Sequence, residues 1–284
     1  MTMESTAAPR ATLYRIEFKQ RVGADENVLL RFADPEALCA VSISSAVDAV
    51  PPAPEIAAAA LGGLDVLAMP RNVADEPYWR KELRAWVDEA GPGQAGPSIS
   101  AKAEDAMIWW RAGRATIQAP PERVGPALLA LAEFAFYEAQ LRRLEAETAA
   151  AWPEAQSDVP FTYSVDRKAL TRHAAVGKRA VRVFHRRIEH VRIESHLFEP
   201  AAGLPPLARQ LGEALREKAG VEERLESLDA QTEVYEFIYE LAGQRMSDYS
   251  HFRHGVFLEL LIVLLLTIEI GLMAVDLYMH WGGE

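Results

Sequence analysis

Cysteine is nearly absent from this chain of 284 residues, which contains only Cys39. A single cysteine excludes an intrachain disulfide and a cysteine-rich metal site, and it agrees with a reducing compartment. We therefore interpret Cys39 as a small core residue. Half of the residues are hydrophobic, which suffices for a folded domain of about 200 residues, or two smaller ones, plus a tether.

The N-terminus shows no targeting signal. Its first residues, MTMESTAAPRATLYRIEF, contain no apolar run of the kind found in secretory signals. The early acidic residue Glu4 also disfavours an organellar transit peptide. We therefore expect neither export nor import through an N-terminal signal.

Motifs that carry chemistry are missing as well. The sequence has no HExxH pattern, serine elbow, glycine-rich phosphate loop, zinc finger or RNA-recognition signature. Its formal net charge of −11 argues against wholesale nucleic-acid binding. We predict no catalytic residue, no metal site and no cofactor, and hence a protein that is not an enzyme.

One long apolar run is present near the C-terminus. Residues 256–279 read VFLELLIVLLLTIEIGLMAVDLYM. At about 1.5 Å per residue this segment is about 36 Å long, which exceeds the hydrocarbon core of about 30 Å in a bilayer. The sequence predicts a single-pass transmembrane anchor over residues 255–279.

Three acidic residues interrupt the predicted anchor: Glu259, Glu269 and Asp276. The surrounding apolar residues contribute about −0.3 to −0.6 kcal/mol each, against about +3 kcal/mol for a central acid, so insertion stays favourable. Only Glu269 lies at the middle, and Asp276 shares its helical face. Two interpretations stay open: a proton- or partner-sensing site, or a neutralised Glu269 that packs in a homo-oligomer beside Thr267 and Gly271.

Basic residues flank the anchor on its N-terminal side. Arg245, Arg253, His251 and His254 precede it, whereas only His280, Trp281 and Glu284 are notable after it. Positive charge stays on the cytoplasmic side of a membrane. We therefore expect the N-terminal domain to be cytoplasmic. Membrane lipid is an expected partner of the chain.

Apolar periodicity predicts an α+β fold, with a mixed α/β domain over residues 1–160. Predicted strands cover residues 11–20, 64–69, 106–111 and 114–118, with weaker strand or short-helix candidates at 28–32 and 38–43. Predicted helices cover 51–60, 76–90 and 122–151, with loops at 91–100 and 152–160. Residues 161–254 form a helical region, which contains helices over 166–194, 207–219 and 221–249, ahead of the transmembrane helix.

The helix over residues 166–194 is the most basic element, with nine Lys and Arg residues against three acids. Its predicted buried edge is Val176, Ala180, Phe184, Ile188 and Val191. Arg179, Arg182 and Arg186 line another side. This side is either a solvated face balanced by acids elsewhere, or a surface that binds anionic lipid or RNA phosphate.

The helix over residues 221–249 has apolar residues at alternating spacings of three and four, from Val221 to Tyr249. This heptad pattern predicts packing against another helix, as in a coiled coil or hairpin. Because no proline follows Pro206, the helix is expected to continue into the membrane, with Gly243 and Gly255 as its weak points.

The C-terminal half resembles a known family. A basic helix ending in VRIESHLFEP is followed by LPPLARQLGEAL, by the heptad helix and by the span LELLIVLLLTIEIGL. This order, with MIWWRAGRATI before it, resembles the family named for "required for meiotic nuclear division", which includes the Sad1-interacting factor of fungi. The resemblance covers roughly residues 105–275. The family's junction and anchor positions correspond to Arg253 or His254, Leu258–Glu259 and Glu269.

The resemblance implies a C-terminally anchored inner-membrane protein without an established catalytic site, whose mitochondrial members are linked to organelle translation. Without a visible transit peptide, it implies a bacterial version. The expected location is then the bacterial inner membrane rather than the mitochondrial inner membrane.

Three functions are compatible with these features. The first is a tail-anchored scaffold whose cytoplasmic domain binds a membrane protein or further copies of the chain as a homo-oligomer. The second is a membrane-surface tether for RNA or ribosomes that uses the basic helix. The third is a metal-dependent enzyme, with ligands at helical i, i+4 spacing in His185 with Glu189 or His190 with Glu194. The missing catalytic motifs favour the first.

Overall fold

The computed structural model describes residues 11–21, 27–33, 35–47, 63–70, 77–89, 96–165, 169–199 and 203–281. The helix predicted over residues 51–60 and the first half of the loop predicted over 91–100 lie outside these residues. Contacts divide the chain into unit 1, Met1–Glu147 with Ile188–Asp229, and unit 2, Thr148–Arg187 with Ala230–Glu284. These units are discontinuous in sequence, unlike the continuous segments that periodicity suggested, because three long helices contribute residues to both.

Unit 1 contains a seven-stranded sheet. Its strands are β1 Ala11–Lys19, β2 Asn27–Ala33, β3 Glu36–Val47, β4 Gly63–Met69, β5 Ile99–Ala103, β6 Ala106–Arg111 and β7 Arg114–Gln118. The order across the sheet is β2-β3-β1-β4-β7-β6-β5, with β4 and β7 parallel and the other neighbours antiparallel. The mixed α/β class is confirmed, and β2 and β3 are strands rather than short helices.

Strand β5 was missed by the sequence analysis, which placed its first residues in a loop. The segment reads ISAKA, too short and too weakly apolar to give a strand signal beside a glycine- and proline-rich stretch. Its pairing with β6 defines it, since Ile99 lies opposite Trp110 and Ala101 opposite Ile108. Strand formation here depends on a neighbouring strand rather than on local propensity.

Helices cover the two faces of the sheet. Successive strand side chains point to opposite faces, so Val66 and Ala68 face one helical layer while Leu67 and Met69 face the other. Helix α1, Pro77–Asp88, packs on the second face. Helix α2, Pro121–Asp158, packs its apolar stripe on the first, where Phe136 stacks on Phe32 with ring centroids 4.0 Å apart.

Arginine side chains of the β6–β7 hairpin hold the C-terminal end of α1. Arg111 donates to the carbonyl oxygen of Asp88 at 2.6 Å. Arg114 donates to the carbonyl oxygen of Trp86 at 3.0 Å and also to that of Glu89. The last carbonyls of a helix lack intrahelical partners, and positive charge is favourable there. Gly113, with φ of 84°, makes the tight turn that places both arginines.

Three further helices complete the chain: α3 Ala169–Phe198, α4 Pro206–Lys218 and α5 Val221–Trp281. Helix α4 and the first turns of α5 pack in the core of unit 1. Unit 2 is helical, with the end of α2, the 3₁₀ turn Val159–Thr162, the start of α3 and the later part of α5. Its core consists of Ala155, Val176, Val183, Tyr235, Tyr239, Ala242 and Met246.

Helix α5 is continuous over 61 residues, about 90 Å. The heptad positions from Val221 to Met246 are buried in the chain itself. Neither Gly243 nor Gly255 interrupts the helix, so the predicted continuation into the apolar segment is confirmed. From His251 to Val275 every residue is exposed, and an 18-residue stretch of α5 has a mean hydropathy of 2.5. It is long and apolar enough to cross a membrane.

The loop predicted over residues 152–160 is wrong, because α2 continues to Asp158. The segment contains Pro153, and proline removes a backbone donor and crowds the preceding turn of a helix. Tertiary packing outweighs that cost here. Ala155 and Asp158 are buried in unit 2, and the Trp152 ring lies 5.6 Å from that of Tyr235.

The buried edge predicted for the basic helix is partly wrong. Val176 is buried as expected, but Phe184, Ile188 and Val191 are more than half exposed. The buried positions described on α3 are Val176, Val183, His190, Ile193 and Leu197, and four of them recur every seven residues. The predicted edge advances mostly by four residues, so it begins on the buried face at Val176 and moves round the helix onto a face that the described part of the chain leaves exposed.

Two phenylalanine substitutions distinguish these faces. Phe136→Ala removes a ring with no exposed area from the core of unit 1, and we expect a loss of about 3–5 kcal/mol in unfolding free energy. The matched change Phe184→Ala should alter stability by less than about 0.5 kcal/mol, because that ring is 59% exposed. Denaturant unfolding followed by tryptophan fluorescence measures both. Equal losses would contradict the assignment of the buried face.

Candidate functional site

The arginine residues predicted to bind anions lie together on α3, where acids of α2 engage two of them. Arg179 donates to both carboxylate oxygens of Asp158, at 2.8 and 2.6 Å, and Asp158 is only 1% exposed. The hydrogen bond from Arg179 to Asp158 raises the pKa of Arg179. Paired charge-assisted bonds of this kind are strong, and a buried carboxylate requires its partner.

The other two arginines differ from Arg179. Arg182 donates to Glu154 at 2.7 Å, and both side chains are about half exposed, so solvent screens the pair. The Nη1 atom of Arg186 is buried and makes no hydrogen bond within the described part of the chain. Its charge lies close enough to Tyr235 to lower the tyrosine pKa, although burial has the larger, opposite effect. The contacts favour the interpretation of a basic face balanced by acids elsewhere.

Tyr239 completes the cluster around Asp158. Burial raises the pKa of Tyr239 to about 12, and the charge of Asp158 adds to the increase. Its hydroxyl therefore stays protonated and serves as a hydrogen-bond donor to the carboxylate. Asp158, Arg179 and Tyr239 join α2, α3 and α5 within unit 2. Their role in this arrangement is structural.

A second buried ion network lies in unit 1 and was not anticipated. Arg224 donates to both oxygens of Glu138 at 2.9 Å and to both oxygens of Glu145 at 2.8 Å. Glu138 also accepts from Arg142 at 2.6 Å. Burial lowers the pKa of Arg224, but the hydrogen bonds and charges of Glu145 and Glu138 outweigh it and raise the pKa. Arg224 is far in sequence from both Glu138 and Glu145, so no local sequence pattern predicts these two pairs.

A cleft of about 700 Å³ lies in unit 1 between the end of α3, α4 and the start of α5. Its charged lining residues are Arg209, Arg216, Glu213, Glu217, Glu222 and Glu223. Acids outnumber bases in it, and burial lowers the pKa of Arg216. The cleft therefore supplies no site for a phosphate group.

The histidines considered as metal ligands do not gather in one place. His190 is buried, and its Nδ1 lies 3.7 Å from a carboxylate oxygen of Asp229, while His185 is exposed. Among the described residues, no three side chains of metal-ligating type converge. The metal-enzyme hypothesis gains no support from this part of the chain.

The acids that we predicted to be membrane-embedded lie on the apolar segment of α5. Glu259 and Glu269 are both exposed, and α5 also contains Asp276, whose side chain lies outside the described set. Thr267 donates its hydroxyl to the Val263 carbonyl of its own helix at 2.7 Å. At about 100° per residue, Thr267 lies about 160° around the helix from Glu269. The small pair Thr267 and Gly271 therefore occupies another face than Glu269.

Unit 2 exposes large apolar side chains above this segment. Val181 and Phe184 of α3, with Val234 and Phe237 of α5, are about half or more exposed, and Phe237 reaches 65%. We use the name α3–α5 apolar surface for these four residues, which form one pair on α3 and one pair on α5. Full burial of one such side chain contributes about 1.5–3 kcal/mol of stabilising free energy. Because each side chain is about half exposed, about half of that free energy is still available for a contact. Exposed apolar side chains grouped on helices mark interaction sites.

Substitution of Arg179 and Arg182 separates a structural role from anion binding. Arg179→Met leaves Asp158 buried without its cation, and we expect a loss of about 3 kcal/mol in unfolding free energy. Arg182→Met should cost less than about 1 kcal/mol, because its ion pair is exposed. Thermal and denaturant unfolding measure both. Unchanged stability of the Arg179 variant would contradict the structural role.

Comparison with models of known protein families, with curated proteins and with solved structures finds no significant match to this chain. The resemblance to the meiotic nuclear division family therefore stays a prediction.

Proposed function

We propose that this protein is a membrane-anchored interaction protein without catalytic activity, whose α3–α5 apolar surface binds a protein partner next to the bilayer. The observation that carries the proposal is that α5 contributes both to this surface and to the apolar segment. In this proposal the N-terminal domain is cytoplasmic, and the bacterial inner membrane is favoured over the mitochondrial one. The family resemblance suggests the same arrangement.

The direction of the helices supports a protein partner over a lipid surface. Arg179 pairs with Asp158 and Arg182 with Glu154, so α3 runs antiparallel to α2 within unit 2. The charge of Arg186 acts on Tyr235 and that of Arg179 on Tyr239, so α3 also runs antiparallel to α5. When α5 crosses the bilayer, α3 then points away from the membrane surface instead of lying on it. Its exposed side chains face other proteins.

A further copy of this chain is the partner we favour. Copies inserted in one membrane share the direction of α5 and hold their unit 2 at the same height. Along the axis of α5, Val181 and Phe184 of α3 lie at about the same height as Tyr235 and Tyr239. Val234 and Phe237 of α5 lie at that height as well. The α3 half of one copy can therefore meet the α5 half of the next. Because the two halves differ, the contact is heterologous and closes into a ring when the rotation permits.

Electrostatics agrees with this pairing. Helix α3 is rich in arginine, whereas α5 before the apolar segment is rich in glutamate. Complementary charge on two surfaces speeds their encounter and disfavours contact of either surface with itself. The alternative function, a tether for RNA or ribosomes, has less support because Arg179 and Arg182 already pair with carboxylates. RNA that co-purifies with the protein and dissociates steeply with salt would favour that alternative.

Membrane anchorage is tested by truncation. We expect the full-length chain to stay in the membrane pellet after alkaline carbonate extraction, because its apolar segment inserts. A version that ends at His254 should move to the soluble fraction and keep the unfolding transition of unit 1. Release of the full-length chain by carbonate would contradict anchorage.

The contact between copies is tested by cysteine crosslinking in membranes. Phe184→Cys and Phe237→Cys place thiols on the two halves of the surface. The native Cys39 does not interfere, because it is fully buried and burial raises its pKa to about 12. We expect a mixture of the two single variants to give disulfide-linked dimers, and the double variant to give a ladder of larger species.

Each single variant alone is the control for this experiment, since a heterologous contact does not bring two identical positions together. Glu217→Cys, on an exposed position of α4, replaces Phe184→Cys as the control for random collision. Dimers from Phe184→Cys alone would show an α3–α3 contact instead. Absence of all crosslinks, with no reproducible protein partner in the same membranes, would exclude the proposed scaffold function.

A further inference from the structure

A shallow groove lies on one face of α5, directly before the apolar segment. Ser250, Arg253, His254 and Phe257 line it, and its volume is about 240 Å³. These positions follow the spacing i, i+3, i+4 and i+7, which places them on one side of a helix. The groove belongs to unit 2 alone and lies apart from the α3–α5 apolar surface.

The depth of the groove matches the lipid headgroup layer. Arg253 precedes Val256, the first residue of the apolar run, by three positions, or about 4.5 Å along the helix axis. The headgroup layer on each side of a bilayer is about 5–7 Å thick. If the apolar run fills the hydrocarbon core, the guanidinium of Arg253 lies among the headgroup phosphates. Phe257 then lies at the start of the acyl chains.

The polar side chains of the groove suit a phosphate. Unlike Arg179 and Arg182, Arg253 pairs with no carboxylate in the described part of the chain. Its planar guanidinium can donate two parallel hydrogen bonds to phosphate oxygens. The Nδ1 atom of His254 lies 2.8 Å from the carbonyl oxygen of Ser250, which only accepts, so Nδ1 carries the hydrogen. In the neutral imidazole Nε2 is then an acceptor, so the donors to a phosphate come from Arg253.

We propose that this groove binds the phosphate of an anionic glycerophospholipid in the leaflet on the N-terminal side of the span, with Arg253 as the principal ligand. The inference rests on the membrane anchorage proposed above. It concerns this leaflet because Arg253 lies on the N-terminal side of the apolar run. Phe257 supplies the apolar contact with the glycerol and the first acyl carbons.

The test uses the full-length chain in vesicles of mixed phosphatidylcholine and phosphatidylglycerol. After gentle detergent release, mass spectrometry of the intact protein measures which lipid remains bound. We expect the unaltered protein to retain phosphatidylglycerol in preference to phosphatidylcholine by about fivefold, and Arg253→Ala to lose this preference. Arg253→Lys should retain part of it, because lysine keeps the charge but not the paired donors.

Arg245→Ala is the matched control. This arginine lies eleven positions before Val256, about 16 Å along the helix and above the headgroup layer, so its removal should leave the preference unchanged. Equal losses in the two alanine variants would show general charge attraction and overturn the site, as would an unchanged preference in Arg253→Ala. Displacement of the lipid by excess inorganic phosphate would assign the groove to soluble phosphate, and that result also overturns the proposal.

Carbonate extraction of the same vesicles tests the membrane anchorage separately from the lipid site. An unaltered chain that resists extraction but shows no lipid preference overturns only the lipid site. An unaltered chain that is extracted overturns the anchorage and the lipid site together.

Discussion

The continuity of helix α5 constrains most of this structure. In hydrocarbon, every backbone N–H and C=O group must find its partner within the segment, and a helix achieves this for a single span. The same helix buries its heptad positions up to Met246 in the folded chain. Between Met246 and Val256 lie ten residue steps, about 15 Å of helix. An unbroken helix therefore fixes how far the packed part of unit 2 lies from the apolar segment.

Ion pairs with acids of α2 decide what Arg179 and Arg182 of α3 can do. A sequence with seven basic residues over one helix suggests a surface for phosphate, yet the chain carries a net charge of −11. A chain with this excess of acids offers many carboxylates to the basic residues. On α2, Asp158 pairs with Arg179 and Glu154 pairs with Arg182. The same principle applies in unit 1, where Glu138 and Glu145 engage Arg224. Cations that are already paired contribute stability, and Arg253 is more suitable for a ligand because it is exposed and unpaired with a carboxylate among the described residues.

Exposed apolar side chains are frequent on α5 and on α3. The segment from Val256 to Val275 is apolar except for Glu259, Thr267 and Glu269, a composition that suits a helix in hydrocarbon. The α3–α5 apolar surface is narrower and lies beside charged residues, which is typical of a protein interface. Both features lie on or beside α5. We infer that lipid contacts and protein contacts occupy different levels of one helix, which lets each be altered without loss of the other.

Four parts of the fold show which features a local sequence pattern predicts and which depend on tertiary contacts. Alternation along β1 located this strand within a residue, because a two-residue period is a local property, and β6 and β7 were located as short strands on either side of Gly113. Strand β5 was not predicted, because its pairing with β6 and not its own sequence pattern defines it. The loop expected at Pro153 is helix, because buried contacts of Ala155 and Asp158 outweigh the local preference of proline. On α3 the predicted edge began correctly at Val176 but moved off the buried face, since two adjacent apolar faces compete and only the neighbouring helices select one.

By itself, the sequence determined the mixed α/β class, the long helix near the C-terminus and the apolar segment within it, because composition and periodicity are carried by consecutive residues. Only the tertiary structure decided which face of α3 is buried, which carboxylates engage Arg179 and Arg182, and that Arg224 joins Glu138 and Glu145. These contacts connect residues that are distant along the chain, and their free energy depends on burial and on distances that no local pattern encodes.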